Sequence, residues 1–236
     1  MAKKILFVQF RTDVSLAHEQ LCVNEMLGLK DGELVFVNAI EIDVTTVDLT
    51  DVAGIVLGGC GEFYLTREDG IGSWRDATMR FLDTVLEKNI PLFATCFGFQ
   101  FLALHEGAII VQDLDAAETG TFEISLLDGA RDDELFKDLP ERFWAQLGHK
   151  DILTDVPDHL IPLACSEKVA VQAFRFKGKP VWGLLFHAEL NKQSMIERLD
   201  LYPDYADEII ETKKNLQETP EAGGILKKFV SMVLGA

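Results

Sequence analysis

PLFATCFGFQFLALHEG, residues 91–107, is the stretch that decides how this chain is read. An apolar run enters it, Cys96 and Gly98 interrupt, and a second apolar run carries a single amide, Gln100. The first run has strand length. The second reads as helix and stops at Gly107. Strand, sharp turn and helix therefore meet at Thr95-Cys96-Phe97. Such an elbow strains the backbone at its apex and pushes the apical side chain out at the carboxyl edge of a sheet. Small residues are needed beside the apex so that the helix can pack on the strand, and Ala94 and Gly98 supply them. A sulfur at this place sits near a helix N-terminus, whose partial positive charge favours thiolate. Taken alone, a cysteine among apolar residues is more often packed core. Two readings stand at this point: core cysteine, or nucleophile on a turn.

Working outward, KKILFVQF (3–10), ELVFVNAI (33–40), VAGIVLGG (52–59) and IPLFAT (90–95) read as buried strands. Helical spacing occupies 15–29 and 73–88, the second with Ser73 as its cap. Continuous apolar strands alternating with amphipathic helices predict a parallel sheet covered on both faces. The middle changes character. GTFEISLL (120–127), RFWAQLGH (142–149) and the run 168–187, with KGKP as a turn, predict antiparallel strands. From about 191 to 234 the chain reads as helix, broken at Pro203 and at TPEAGG. The expected fold is α/β and flavodoxin-like: three layers, a mainly parallel central sheet, an antiparallel extension and a C-terminal helical tail. Residues 1–190 form the expected domain, with 191–236 as a helical extension packed on it.

The formal net charge of −17 sets the surface against polyanions, so neither nucleic acid nor an anionic membrane is expected as partner. ILFVQF after MAKK is too short for a signal-peptide core, and no apolar run is long enough to span a bilayer. The four cysteines, at 22, 60, 96 and 165, form no CxxC pair. Free thiols in a reducing cytoplasm are the expectation, with no metal site and no cofactor. The acidic stretches DAAETG and DGARDDELFKD read as solvated loops.

Two further stretches change the weight on Cys96. In VWGLLFHAEL (181–190) a strand ends on His187, and Glu189 follows two residues later, on the same side of an extended chain. The carboxylate can then hold one ring nitrogen while the other faces a partner, which is the base-plus-orienter half of a triad. In GIVLGGCGEF (54–63) a strand runs into Gly58-Gly59, where backbone N–H groups can approach a ligand closely. Beside Cys96, the Gly59 and Phe97 amides would form an oxyanion hole. A tight strand-to-helix turn is the plainer reading of the same glycines. A GxGxxG phosphate loop is excluded, because the third glycine would fall on Tyr64.

Cys-x-Gly-x-Gln after a strand, a Gly-Gly strand end upstream and His-x-Glu after a late strand resemble the class I glutamine amidotransferase family. The pattern is similar to the stand-alone glutaminase domain of a GMP synthase. ETG (118–120), LGHKD (147–151) and LACSEKVAVQAF resemble the family's middle section, and the likeness covers roughly 50–190. It implies a Cys96–His187–Glu189 triad that cleaves a γ-glutamyl amide, glutamine or a γ-glutamyl compound, through a thioester on Cys96. It implies that Gly58, Gln100 and His149 contact the small-molecule substrate, and that a separate synthase subunit is a possible partner. Ala188, Leu185, Phe99 and Cys60 depart from the family pattern without removing a catalytic group. Three functions compete: a glutaminase unit feeding ammonia to a synthase, a stand-alone γ-glutamyl hydrolase, and a non-catalytic module on the same fold. Loops 61–72 and 112–121 are expected to set substrate identity.

Overall fold

The computed structural model describes residues 3–67, 72–202 and 209–235. In chain order the elements are β1 (Lys4–Gln9), α1 (Ser15–Leu27), β2 (Leu34–Asn38), β3 (Val52–Leu57), α2 (Trp74–Glu87), β4 (Leu92–Thr95) and α3 (Phe97–His105). There follow β5 (Ile109–Gln112), β6 (Glu118–Leu126), β7 (Arg142–His149), β8 (Asp151–Asp155), β9 (Leu160–Cys165), β10 (Ala173–Phe176) and β11 (Val181–Leu184). The chain closes with α4 (Lys192–Leu201), α5 (Ile209–Asn215) and α6 (Pro220–Leu234).

Among the described residues, nine strands form one sheet in the order β2-β1-β3-β4-β11-β10-β9-β6-β7. The first five are mutually parallel, and each pairing from β11 to β7 is antiparallel. β5 and β8 form a separate antiparallel pair. The parallel strands are apolar throughout because both faces are covered. Successive side chains alternate between two cores. Leu6, Val8, Ile55, Leu57 and Ala94 face one, with Phe81 and Val85 of α2 and Phe101 of α3. Ile5, Phe7, Val56, Phe93 and Trp182 face the other, with Val23 of α1 and Ile225, Leu226 and Phe229 of α6. These are the three layers.

Several expectations change in detail. The run 168–187 holds only two short strands, and β11 ends at Leu184. Its parallel partner β4 ends opposite it at Thr95, and beyond it the Leu185 and His187 N–H groups make only single backbone bonds, to Gln172 O and Gln146 O. Ser73 precedes α2 in helical conformation and makes no side-chain capping bond. β5, β8 and β9 were not expected, being short and without clear alternation. Pro220 starts α6 at its first turn, where a missing N–H costs nothing, while Gly223 and Gly224 continue the helix. Pro203 and residues 68–71 of the loop 61–72 lie outside the described residues. The acidic stretches are not wholly solvated: Glu118 and Asp133 are buried. Asp133 accepts from Trp182 Nε1 at 2.9 Å and from the backbone of Leu135 and Phe136. Among the described residues no helix is long and apolar enough to cross a membrane.

Candidate active site

Cys96 stands between β4 and α3 with φ 49° and ψ −108°. A non-glycine residue held at positive φ costs about 1–3 kcal/mol and persists only where its surroundings over-determine it. They do so here. The Cys96 N–H donates to Leu184 O at 2.8 Å, and the Gly98 N–H donates to Gly58 O at 3.0 Å. A Cβ on Gly98 would lie 2.6 Å from Leu57 O, so α3 starts in direct backbone contact with β3. The elbow forms as the sequence predicts, but its side chain does not stand free: Cys96 is 3% exposed. Its Sγ lies 3.8 Å from Gly148 O at the end of β7, which roofs the thiol.

His187 is placed differently from the extended i, i+2 geometry. It sits beyond β11 in an isolated antiparallel bridge with Gln146 of β7, its N–H donating to Gln146 O at 2.8 Å. The chain then turns, and Glu189 folds back so that its Oε1 is 2.6 Å from His187 Nδ1. Thr95 fixes this turn from β4. Its hydroxyl donates to Phe186 O at 2.9 Å and lies 3.3 Å from Glu189 Oε2. The Nδ1 contact leaves Nε2 free of Glu189, and the ring lies beside Cys96: a Cβ on Gly59 would meet both His187 Cε1, at 3.1 Å, and Cys96 Cβ, at 3.6 Å. Burial works against charge on the ring, but the Glu189 carboxylate and Cys96 outweigh it and raise His187 to about 10. Burial likewise pushes Glu189 up, and the facing His187 charge wins, holding it at about 2. Sulfur, imidazole and carboxylate are thus brought together in one buried row.

Gly58 and Gly59 end β3 against the same row. A Cβ on Gly58 would fall 2.7 Å from the Phe7 ring, and one on Gly59 would fall 3.1 Å from both His187 Cε1 and Arg11 Nη2. The two expected oxyanion donors are not equivalent. The Phe97 N–H is at the first position of α3, where the helix itself supplies no acceptor. The Gly59 N–H already donates to Glu19 Oε1 at 3.2 Å.

Glu19 and Arg11 join the site without having been expected from the sequence. Arg11 Nε lies 3.1 Å from Glu19 Oε1, and both side chains are buried. Arg11 also donates to the hydroxyls of Ser15 at 2.8 Å and Tyr202 at 3.4 Å. The available signal was polar Gln9 and Arg11 at the end of an otherwise apolar strand run.

Gln100 and His149 line a cleft of about 290 Å³ together with Cys96, Phe97, Gly61 and Tyr64. The Gln100 amide donates to Asp151 O at 3.2 Å, tying α3 to the start of β8. The His149 ring is buried, with Nε2 3.1 Å from Glu118 Oε2, and Gln172 donates to the same oxygen at 2.6 Å. Phe99 points away from the cleft: it is fully buried, its ring 4.8 Å from that of Phe174. All four cysteines are free, and among the described residues no group of three or more His, Cys, Asp or Glu is arranged to hold a metal.

An elbow cysteine at the end of a parallel strand, beside a buried histidine–carboxylate pair, is set here in a three-layer α/β fold. The family model for class I glutamine amidotransferase matches residues 32–198, and the chain belongs to that family. It is 31% identical over 109 residues to one subunit of the glutamine-hydrolyzing GMP synthase of Methanocaldococcus jannaschii, covering 46% of this chain and 56% of that protein. The corresponding GMP synthase subunit from Thermoplasma acidophilum is 28% identical over 148 residues, covering 63% and 68%. The chain thus matches little more than half the length of the first of these relatives. A solved glutamine amidotransferase from Thermotoga maritima superposes with a TM-score of 0.78 at 16% identity over the whole of both chains. At that identity the likeness speaks for the fold alone.

Proposed function

We propose that this protein hydrolyses γ-glutamyl amides through a Cys96–His187–Glu189 triad. The observation that carries the reading is the Cys96 thiol, held at positive φ beside a histidine whose far nitrogen is fixed by Glu189 at 2.6 Å. Cys96 gives its thiol proton to His187 as Sγ bonds to the γ-carbonyl carbon, and the carbonyl electron pair moves onto oxygen. The Phe97 N–H receives that charge. The Gly59 N–H joins it once the bond to Glu19 is exchanged. As the C–N bond breaks, His187 passes its proton to the leaving amine. Water, deprotonated by His187, then cleaves the thioester, releasing glutamate and restoring the thiol. Gln100 and the segment at His149 shape the cleft that receives the γ-glutamyl group, while Gly58 acts behind it by holding the start of α3.

Purified protein should release glutamate from glutamine or a γ-glutamyl dipeptide, and Cys96→Ala should lower kcat by at least about 10³-fold. Activity that survives this substitution would exclude the triad. The names of the relatives favour a further step, delivery of ammonia to a separate synthase subunit. Strong stimulation of glutamine hydrolysis by cell extract would support it, and an unchanged rate would favour a hydrolase acting alone.

A further inference from the structure

On the His187 side of Gly148 lies a second cleft. Its wall includes Arg11, Gly61, Thr119, His187, Arg198 and Tyr202. It shares Cys60, Gly61 and Gly148 with the cleft on the Cys96 side. The chemistry assigns the two sides. The acyl group stays on Cys96, whereas the leaving amine takes its proton from His187 and so departs toward the second cleft. Ammonia, the amine released from glutamine, carries no acceptor that a cationic wall could hold.

Arg198 gives that space a chemical character. It is 7% exposed. Its Nε donates to His18 Nδ1 at 3.0 Å, and its Nη2 is buried without a hydrogen-bond partner among the described residues. The nearby carboxylates are engaged elsewhere. Glu19 pairs with Arg11, Glu189 holds His187, and Glu197 lies 3.4 Å from His18 Nε2 and accepts from Gln193. A buried guanidinium is charged at any physiological pH, and its fork of donors matches a carboxylate. An unsatisfied buried donor is costly, and an incoming acceptor removes the cost.

Given the γ-glutamyl hydrolase reading, on which this rests, we propose that the second cleft receives the leaving-amine half of the substrate and that Arg198 binds a carboxylate on it. The substrate class is then γ-glutamyl amino acids, with glutamine a poorer member lacking that contact.

The test compares three substrates on the full chain: γ-glutamylglycine, γ-glutamylethylamide, in which a methyl group replaces the glycine carboxylate, and glutamine. Wild-type protein should show kcat/KM for γ-glutamylglycine at least tenfold above that for the ethylamide, mostly through KM. Arg198→Met should compress the ratio below threefold, and Arg198→Lys should keep part of it. The ratio within each variant corrects for any loss of folded protein, and the wild-type comparison needs no variant at all. Turnover of all three substrates without preference for the carboxylate overturns this inference and leaves the hydrolase reading standing. A preference that Arg198→Met leaves unchanged also overturns it. No turnover of any substrate, with Cys96 unlabelled by a γ-glutamyl electrophile, overturns both.

Discussion

The five parallel strands β2-β1-β3-β4-β11 are covered on both faces, and the ends of β3 and β4 supply Gly59 and Cys96 to the site. β6 and β7 mix buried with exposed residues, and they reach the site at one end, with Glu118 and Thr119 of β6 and Gln146, Gly148 and His149 of β7. The contrast separates two tasks. A strand buried on both faces ends at a position fixed by neighbours on every side, so it can hold a residue in a strained conformation. An antiparallel edge is less constrained, and here it builds the roof and walls around the reacting groups.

The largest effect expected on this division comes from Glu189→Gln. It removes the group that orients His187, and kcat should fall about 10³–10⁴-fold with the fold intact. The same variant has a pH signature. Glu189 is held at about 2 in the folded protein, against an ordinary 4.5, so its stabilising contribution is complete above 4.5 and is lost as pH falls toward 2. The stability advantage of wild type over the variant, from urea unfolding at each pH, should shrink across that window. In the variant, NMR titration of His187 should place it below the wild-type value of about 10, since burial then acts with less opposition.

Gly98→Ala probes the seam of the parallel half. Its methyl group would fall 2.6 Å from Leu57 O, backbone that cannot swing aside, so a loss of about 1–3 kcal/mol is expected in denaturant unfolding. Glu118→Ala makes the matching probe in the antiparallel half. It strips His149 and Gln172 of their shared acceptor, for a cost of about 1–2 kcal/mol, and should raise KM more than it lowers kcat. A fall in kcat as large as that of Glu189→Gln would break the division between the halves. The smallest effect is a comparison of two inactive variants. Cys96→Gly should be more stable than Cys96→Ala by about 1 kcal/mol, because glycine accepts φ 49° without strain.

Much of the parallel half was legible in the chain because its signals are local. Apolar runs of strand length alternate with helical spacing, and Ala94, Cys96 and Gly98 follow one another at the elbow. The approach of His187 to Glu189 was visible from spacing, though the geometry behind it was not. The turn that brings Glu189 back is held by the Thr95 hydroxyl on Phe186 O, a partner 91 residues away in the chain. Arg11 and Glu19 stayed hidden for a similar reason. Their burial depends on α4 and Tyr202 closing over the end of β1, and no local pattern records that closure. Phe99, one of the departures from the family pattern, stays out of the cleft for a plain reason: one helical step from Gln100 turns it into the core.

Gly98 has one more consequence, and it concerns heat. The contact of α3 with β3 keeps Cys96 at its unfavourable dihedral angles, and the thiol is aimed only while that contact holds. Thermal expansion that parts helix from strand by a few tenths of an ångström lets the turn relax to ordinary angles while the sheet remains paired. If Cys96 acts as proposed, activity should therefore fall on warming at a temperature below the one at which circular dichroism records the loss of the fold.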